Sequence, residues 1–144
     1  ERARADELAR RLMTIRGVGP VTALALSVLT PPPETFECGR DLAAWIGLTP
    51  RQHSSGGASR LGKTSKMGQR DLRRLLIIGA SAVVRWARRP ASAGRLAPDG
   101  SWLAGMLERK PPMLVTVALA NKTARIAWAL MARGGVYRAP AAAA

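Results

Sequence analysis

The sequence predicts an all-α domain, on three observations. Apolar residues recur every three or four positions through Ala5, Leu8, Leu12 and Ile15, and again through Leu72, Leu76, Gly79 and Val83. That period places side chains on one face of a helix. Proline and glycine stand where helices begin and end: Pro20, Pro31 to Pro33, Pro111-Pro112 and Gly134-Gly135. No run alternates in the manner of a half-buried strand, and no segment repeats at a fixed period. With 144 residues, the chain has the length of one ordinary domain with a real core.

The elements come in chain order. Residues 1–14 carry Arg2, Arg4, Arg10 and Arg11 between their apolar positions, which predicts an amphipathic helix arriving from upstream. Ile15-Arg16-Gly17-Val18-Gly19 is a glycine turn, and Pro20 suits the first position of the next helix, where its missing N–H costs nothing. Pro31 to Pro33 stop that helix, and "FECGRDLAAWIGL" supplies a short one with Leu42, Trp45 and Ile46 turned inward. From Thr49 to Gly68 the period disappears among Ser, Gly and basic residues, which predicts a long loop, a kind of segment that is often functional.

Gln69 to Arg88 restores a strong helix, with Arg70, Arg74, Arg85 and Arg88 opposite its apolar face. Pro90 to Asp99 is irregular, and a short helix follows around Trp102 to Glu108. Pro111-Pro112 opens a long helix that Gly134-Gly135 ends. The chain thus divides into 1–14, the end of an upstream linker or coiled-coil helix, 15–138, the domain proper, and 139–144, a tail. It opens without methionine, already in helical sequence, and reads as a piece of a longer protein, so a site found here can be half of one.

Lys and Arg number 23 against 9 acids, a formal net charge of +14. A surface this positive attracts a polyanion by counterion release, and nucleic acid is the partner it implies. Ten of the basic residues lie between Arg51 and Arg89, where Asp71 is the single acid. A solvated basic face is the plain reading of any one of them; together they are too one-sided to serve solubility alone. The lone Cys38 allows no internal disulfide, and no Cys/His cluster has zinc-ligand spacing, which fits a reducing cytoplasm. No apolar run reaches membrane-spanning length, and the N-terminus is unlike a signal peptide.

Three motifs compete for the chemistry. Gly57 to Thr64 reads G-A-S-R-L-G-K-T, formally a P-loop. That motif needs a core strand before it and a helix starting at its Lys-Thr. "TPRQHSSG" is no core strand, and Gly68 interrupts the turn after Lys63-Thr64, so an NTPase is disfavoured. Ile15 to Gly19 followed by "PVTALAL" has the form of a helix-hairpin-helix element, whose Gly17 and Gly19 let backbone N–H groups approach a DNA phosphate; the plain alternative is a glycine turn between packed helices. The third is Ser54-Ser55, among cations. A serine hydroxyl can attack a phosphodiester if nearby charge stabilises the non-bridging oxygens. Arg60, Lys63 and Lys66 suit that task, but no base within the segment clearly takes the proton. His53, the only histidine, is better suited to packing or phosphate binding. Serines beside glycines are ordinarily turn residues, so a non-catalytic nucleic-acid-binding module, with the loop as phosphate clamp, stays open.

"AAWIGLTPRQHSSGGASRLGKTSKMGQRDLRRLLIIGASAVV" and the later "ALANKTARIAWALMARGGVY" closely resemble the C-terminal transposase domain of the IS-one-ten insertion-sequence family, bridge-RNA-guided recombinases related to Piv-type DNA invertases. The likeness runs from Ile15 to Tyr137. It implies that a serine of the Ser-Gly loop joins covalently to DNA. Ser55 falls on that position, with Ser54 its neighbour. Arg60, Lys63 and Lys66 lie where the family has its R-x-G-x-x-S-K-x-G segment, and Arg73 matches the arginine of its Leu-Arg pair; with Arg51, Arg70 and Arg74 from the basic cluster, these are the expected DNA contacts. Thr64 and Met67 depart slightly, standing where an aliphatic and a basic or polar residue are common. The family's magnesium belongs to an N-terminal RuvC-like domain with four acids, to which nothing here corresponds. The resemblance therefore implies no cofactor in this fragment and no activity alone, with magnesium in the full-length protein. It also implies a guide (bridge) RNA, a dimer or tetramer on DNA, and a cytoplasmic, nucleoid-associated location.

Overall fold

The computed structural model describes residues 2–55, 58–89 and 101–139, with 52–55 and 58–61 described as backbone only. The described residues form seven α-helices, one 3-10 turn and one two-stranded hairpin, so the all-α class holds with a single β exception. The amphipathic segment at the start is two helices, α1 (Arg2–Ala5) and α2 (Glu7–Leu12). Asp6 breaks it: its extended backbone caps α2, and its Oδ1 accepts from the N–H groups of Leu8 at 2.9 Å and Ala9 at 3.2 Å. Aspartate's short acceptor favours such a cap over a helix interior.

The glycine turn leads into α3 (Pro20–Leu29), with Gly19 at the N-cap and Pro20 in the first turn. A 3-10 turn at Pro33–Thr35 precedes α4 (Gly39–Ile46), which begins with the Cys38 N–H donating to Asp41 Oδ2 at 3.0 Å. After the hairpin come α5 (Arg70–Ala87), α6 (Trp102–Arg109) and α7 (Pro112–Arg133). Pro90 to Asp99, expected to be irregular, and the tail beyond Ala139 lie outside the described residues.

The core sits where α7 packs against α4 and α5. On α7, Ala120, Ala124 and Ala127 form a fully buried row of small side chains, which lets neighbouring backbones come close. Gly39 uses this, since a Cβ there would lie 2.9 Å from the Arg125 carbonyl oxygen. Leu12, Leu26, Leu42, Ile46, Leu72, Leu76 and Val115 fill the space between. Residues 1–14 contribute Ala9 and Leu12 to this same core. They are tied to the far end of the chain, where Arg11 donates to the carbonyls of Leu130 and Gly135, and Tyr137 N–H donates to Thr14 Oγ1 at 2.9 Å. As the periodicity predicts, Leu72, Leu76 and Val83 are buried while Arg70, Arg74, Arg85 and Arg88 are exposed.

The segment 49–68, expected to be an irregular loop, contains strands β1 (Pro50–Ser55) and β2 (Ala58–Thr64), paired antiparallel. Its sequence has no apolar alternation, the signal that reveals strands with one buried face. The cue its sequence does carry is Gly56-Gly57, two residues of hairpin-turn type between the two strands.

Candidate nucleic-acid interface

The register of the hairpin fixes where the two serines sit. Ser55 pairs with Ala58 and Ser54 with Ser59, so both lie at the distal end of β1, directly before Gly56. His53 pairs with Arg60 and Gln52 with Leu61, and an irregularity between Pro50 and Gln52 brings Pro50 opposite Thr64. The serine pair is therefore carried at the tip of a ladder whose base joins the helical body.

That base is locked by backbone contacts. Ser65 N–H donates to the Thr49 carbonyl at 2.9 Å, Lys66 N–H to Gly47 at 3.3 Å, and Gln69 N–H to Trp45 at 3.3 Å. Gly47 and Gly68 have φ of +83° and +92°. A Cβ at Gly47 would lie 1.9 Å from the Met67 oxygen, and one at Gly68 would lie 1.8 Å from the Trp45 oxygen. Both conformation and space thus require glycine. Lys66 is itself at φ +54°, an unusual backbone for a side-chain-bearing residue.

The structure separates the predicted cations into two groups. Arg73, half-buried, donates from Nη1 to the Ile46 carbonyl at 2.9 Å and the Met67 carbonyl at 3.4 Å. It clamps the C-terminus of α4, whose last carbonyls lack helical partners, to the segment that feeds α5. Arg51 Nη2 reaches the Ser65 carbonyl at 3.4 Å. Lys63, Lys66, Arg70 and Arg74 are exposed, as Arg51 is. Gly17 and Gly19 also part company. Gly17, at φ +87°, meets α5, where a Cβ on Gly79 would lie 1.9 Å from the Gly17 oxygen. Gly19 is exposed, with open space around it.

Gly62-Lys63-Thr64 are residues of β2, and the next helix begins at Arg70. The P-loop geometry, a helix opening at the Lys-Thr, is thereby contradicted. Among the described residues no cluster of three or more His, Cys, Asp or Glu could hold a metal ion, and no helix is long and apolar enough to cross a membrane.

One feature of the surface has only a partial counterpart in the sequence pattern. Between β2, the start of α4, α6 and α7 lies a groove of about 1520 Å³. Lys63 and Lys66 border it from the hairpin side, Arg40 from α4, and Lys122 and Arg125 from α7. Lys122 Nζ sits over the Trp102 ring, 4.1 Å from its centroid, a cation–π contact. Burial pushes the Lys122 pKa down from its ordinary value, and the charge of Arg125 adds to the effect. The signal was present in "NKTAR", whose Lys122 and Arg125 are spaced to share a helix face; the elements facing them could not be read from it.

The sequence profile of the Transposase IS116/IS110/IS902 family matches residues 9–94. The y4pF/y4sB protein of Sinorhizobium fredii is 50% identical over 135 residues, covering 94% of this chain and 34% of that protein. The transposase for insertion sequence element IS1328 of Yersinia enterocolitica is 43% identical over 132 residues, covering 92% of this chain and 38% of that protein. The transposase for insertion sequence element IS1111A of Coxiella burnetii is 42% identical over 136 residues, covering 94% and 36%. The chain thus spans about a third of the length of the curated relatives it matches.

Proposed function

Because the chain belongs to the IS116/IS110/IS902 transposase family, we propose that it supplies the DNA-contacting, nucleophile-bearing part of a longer transposase, with Ser55 as the residue that joins DNA. The observation that carries this reading is the hairpin: a serine pair at the tip of a two-stranded ladder whose base is locked to the helices. The Ser55 hydroxyl attacks a backbone phosphorus, a serine–phosphate ester forms, and the bond from phosphorus to one deoxyribose oxygen breaks. The serine proton leaves, and the departing sugar oxygen takes one up. Bond count is conserved, so a free sugar hydroxyl can reverse the step on another strand without nucleotide hydrolysis.

Lys63, Lys66, Arg70 and Arg74 are exposed and supply phosphate contacts. Arg60 of β2, paired with His53 of β1, belongs with them by position. In the turn before α3, Gly19 makes the phosphate approach expected of a helix-hairpin-helix, while Gly17 serves packing. Magnesium is assigned in this reading to a RuvC-like acidic domain elsewhere in the longer protein; the described residues hold no group of three or more His, Cys, Asp or Glu that could bind it. The guide (bridge) RNA, the dimer or tetramer on DNA, the cytoplasmic, nucleoid-associated location and the inactivity of this part alone belong to the same reading.

The test is covalent trapping in the full-length protein on a nicked substrate. Ser55→Ala should abolish the protein–DNA adduct with DNA affinity nearly unchanged, while Ser54→Ala keeps it. Loss in Ser54→Ala alone moves the nucleophile by one residue. Adduct formation by the double variant would leave only the non-catalytic reading, in which the exposed cations form a phosphate clamp.

A further inference from the structure

We infer that the groove between β2, α6 and α7 binds a single-stranded stretch of nucleic acid and leads it along the hairpin toward the serine tip. The inference rests on the reading of the hairpin as the DNA-joining element and extends it to the path of the strand.

Charge comes first. Six cationic side chains line the groove, contributed by α4, β2, the segment after β2 and α7, and among its described lining residues there is no acid. Cations converging from separate elements on one trough match a phosphate chain. Size comes second. At about 1520 Å³ the groove exceeds the roughly 300–1000 Å³ of an ordinary small-molecule pocket, which leaves room for a segment of a polymer.

The floor decides which polymer. Trp102, Met113 and Leu114 line the groove and are 40%, 70% and 50% exposed. A duplex presents phosphates outward and keeps its bases stacked inside, so it would leave these apolar side chains facing water. A single strand presents phosphates and unstacked base faces together, the combination that cationic grooves with aromatic platforms bind. Lys122, held over one face of Trp102 beside Arg125, places a positive charge directly against that platform.

Continuity comes last. Lys63 and Thr64 belong both to the groove and to β2, whose other end, Ala58, pairs with Ser55. A strand of that length covers about 20 Å. A nucleic-acid strand joined at the tip can therefore lie along β2 and drop its following nucleotides into the groove. A single-stranded segment is what strand exchange must create next to a joined end.

The test is fluorescence anisotropy with the full-length protein, magnesium omitted, using a short mixed-sequence DNA oligonucleotide, the same sequence as duplex, and poly-glutamate as competitor. Trp102→Ala should weaken oligonucleotide binding roughly tenfold and leave duplex binding within about twofold. Lys122→Gln should lower the slope of log affinity against log salt by about 0.7. Arg10→Gln, which removes an exposed charge outside the groove, should shift affinity less than about twofold. Circular dichroism checks that each variant keeps its helices, and an iododeoxyuridine-labelled oligonucleotide should photo-crosslink to Trp102 or Met113 in the unaltered protein. Normal oligonucleotide binding by both groove variants overturns the inference. So does duplex binding with the same dependence on Trp102, or a groove that holds poly-glutamate and loses it in Trp102→Ala while oligonucleotide binding stays intact. The serine reading is tested separately by adduct formation: a Trp102→Ala protein with normal binding and normal adduct sinks the path and spares Ser55, whereas an adduct in Ser54→Ala/Ser55→Ala does the reverse.

Discussion

The helical body and the hairpin are held by different forces. In the body, Leu12, Leu42, Ile46, Leu72 and Leu76 are completely or almost completely buried, and removal of apolar surface from water is the main stabilising term. The hairpin has no apolar alternation and is anchored at its base by backbone hydrogen bonds, two glycine contacts and the Arg73 clamp. A region tied by packing tolerates polar change only at its surface. A region tied at one end can present chemistry at the other without burying it. A damaged body should therefore lose everything, whereas a damaged hairpin base should lose chemistry first.

The sharpest way to break that contrast is Gly79→Ala. Its Cβ would meet the Gly17 carbonyl at 1.9 Å, backbone against backbone. The clash should outweigh the roughly 1 kcal/mol that alanine gains over glycine in a helix and leave a net loss of about 2 kcal/mol. Thermal melting should show one earlier cooperative transition, with DNA binding and adduct lost together. Next in size is Gly68→Ala, where φ +92° and a 1.8 Å approach to the Trp45 oxygen oppose any Cβ. Amide exchange should quicken in 58–64 while α5 and α7 keep their protection. Equal loss of protection in both regions would erase the distinction between body and hairpin.

A smaller effect separates Arg73 from its neighbour. Arg73→Ala removes a charge-assisted hydrogen bond to Ile46, a type worth about 1.5–3 kcal/mol. It should cut the rate of adduct formation with little change in the salt dependence of DNA binding. Arg74→Ala, on the exposed face, should lower the salt slope by about 0.9 and leave the adduct rate at saturating DNA unchanged. The smallest effect is the pH dependence at Lys122. Its folded pKa lies below the ordinary 10.5, through burial and then Arg125. The unfolded chain therefore holds that proton more tightly, and this contribution to stability rises as pH climbs from the lowered value toward 10.5. Denaturant titration across alkaline pH should show a shallower rise in Lys122→Met.

Much of the fold was legible because helices announce themselves locally. The period through Leu72, Leu76 and Val83 predicted both the buried face of α5 and its exposed arginine stripe, and Pro20 and Gly134 predicted helix ends. The serine pair was legible as a candidate because the basic bias and the glycine pair surround it in sequence. The hairpin was marked only by Gly56-Gly57, since its strands lack apolar alternation and are held by main-chain bonds that any sequence can make. Nor was the break at Asp6, where a capping side chain competed with an otherwise continuous period. Arg73 read as one more surface cation because its partner is a backbone carbonyl 27 residues away. No composition rule reveals such a partner.

That the chain is helical, strongly basic, and carries two serines beside two glycines follows from its residues alone, because period, charge and neighbour identity are properties of a few adjacent positions. The three-dimensional fold adds that those serines ride on a hairpin tip, that Gly17 meets Gly79, and that Lys122 lies over Trp102 in the groove that β2 borders. Those outcomes depend on how distant segments pack, and the packing is settled by the joint burial of apolar faces rather than by any one segment's own pattern.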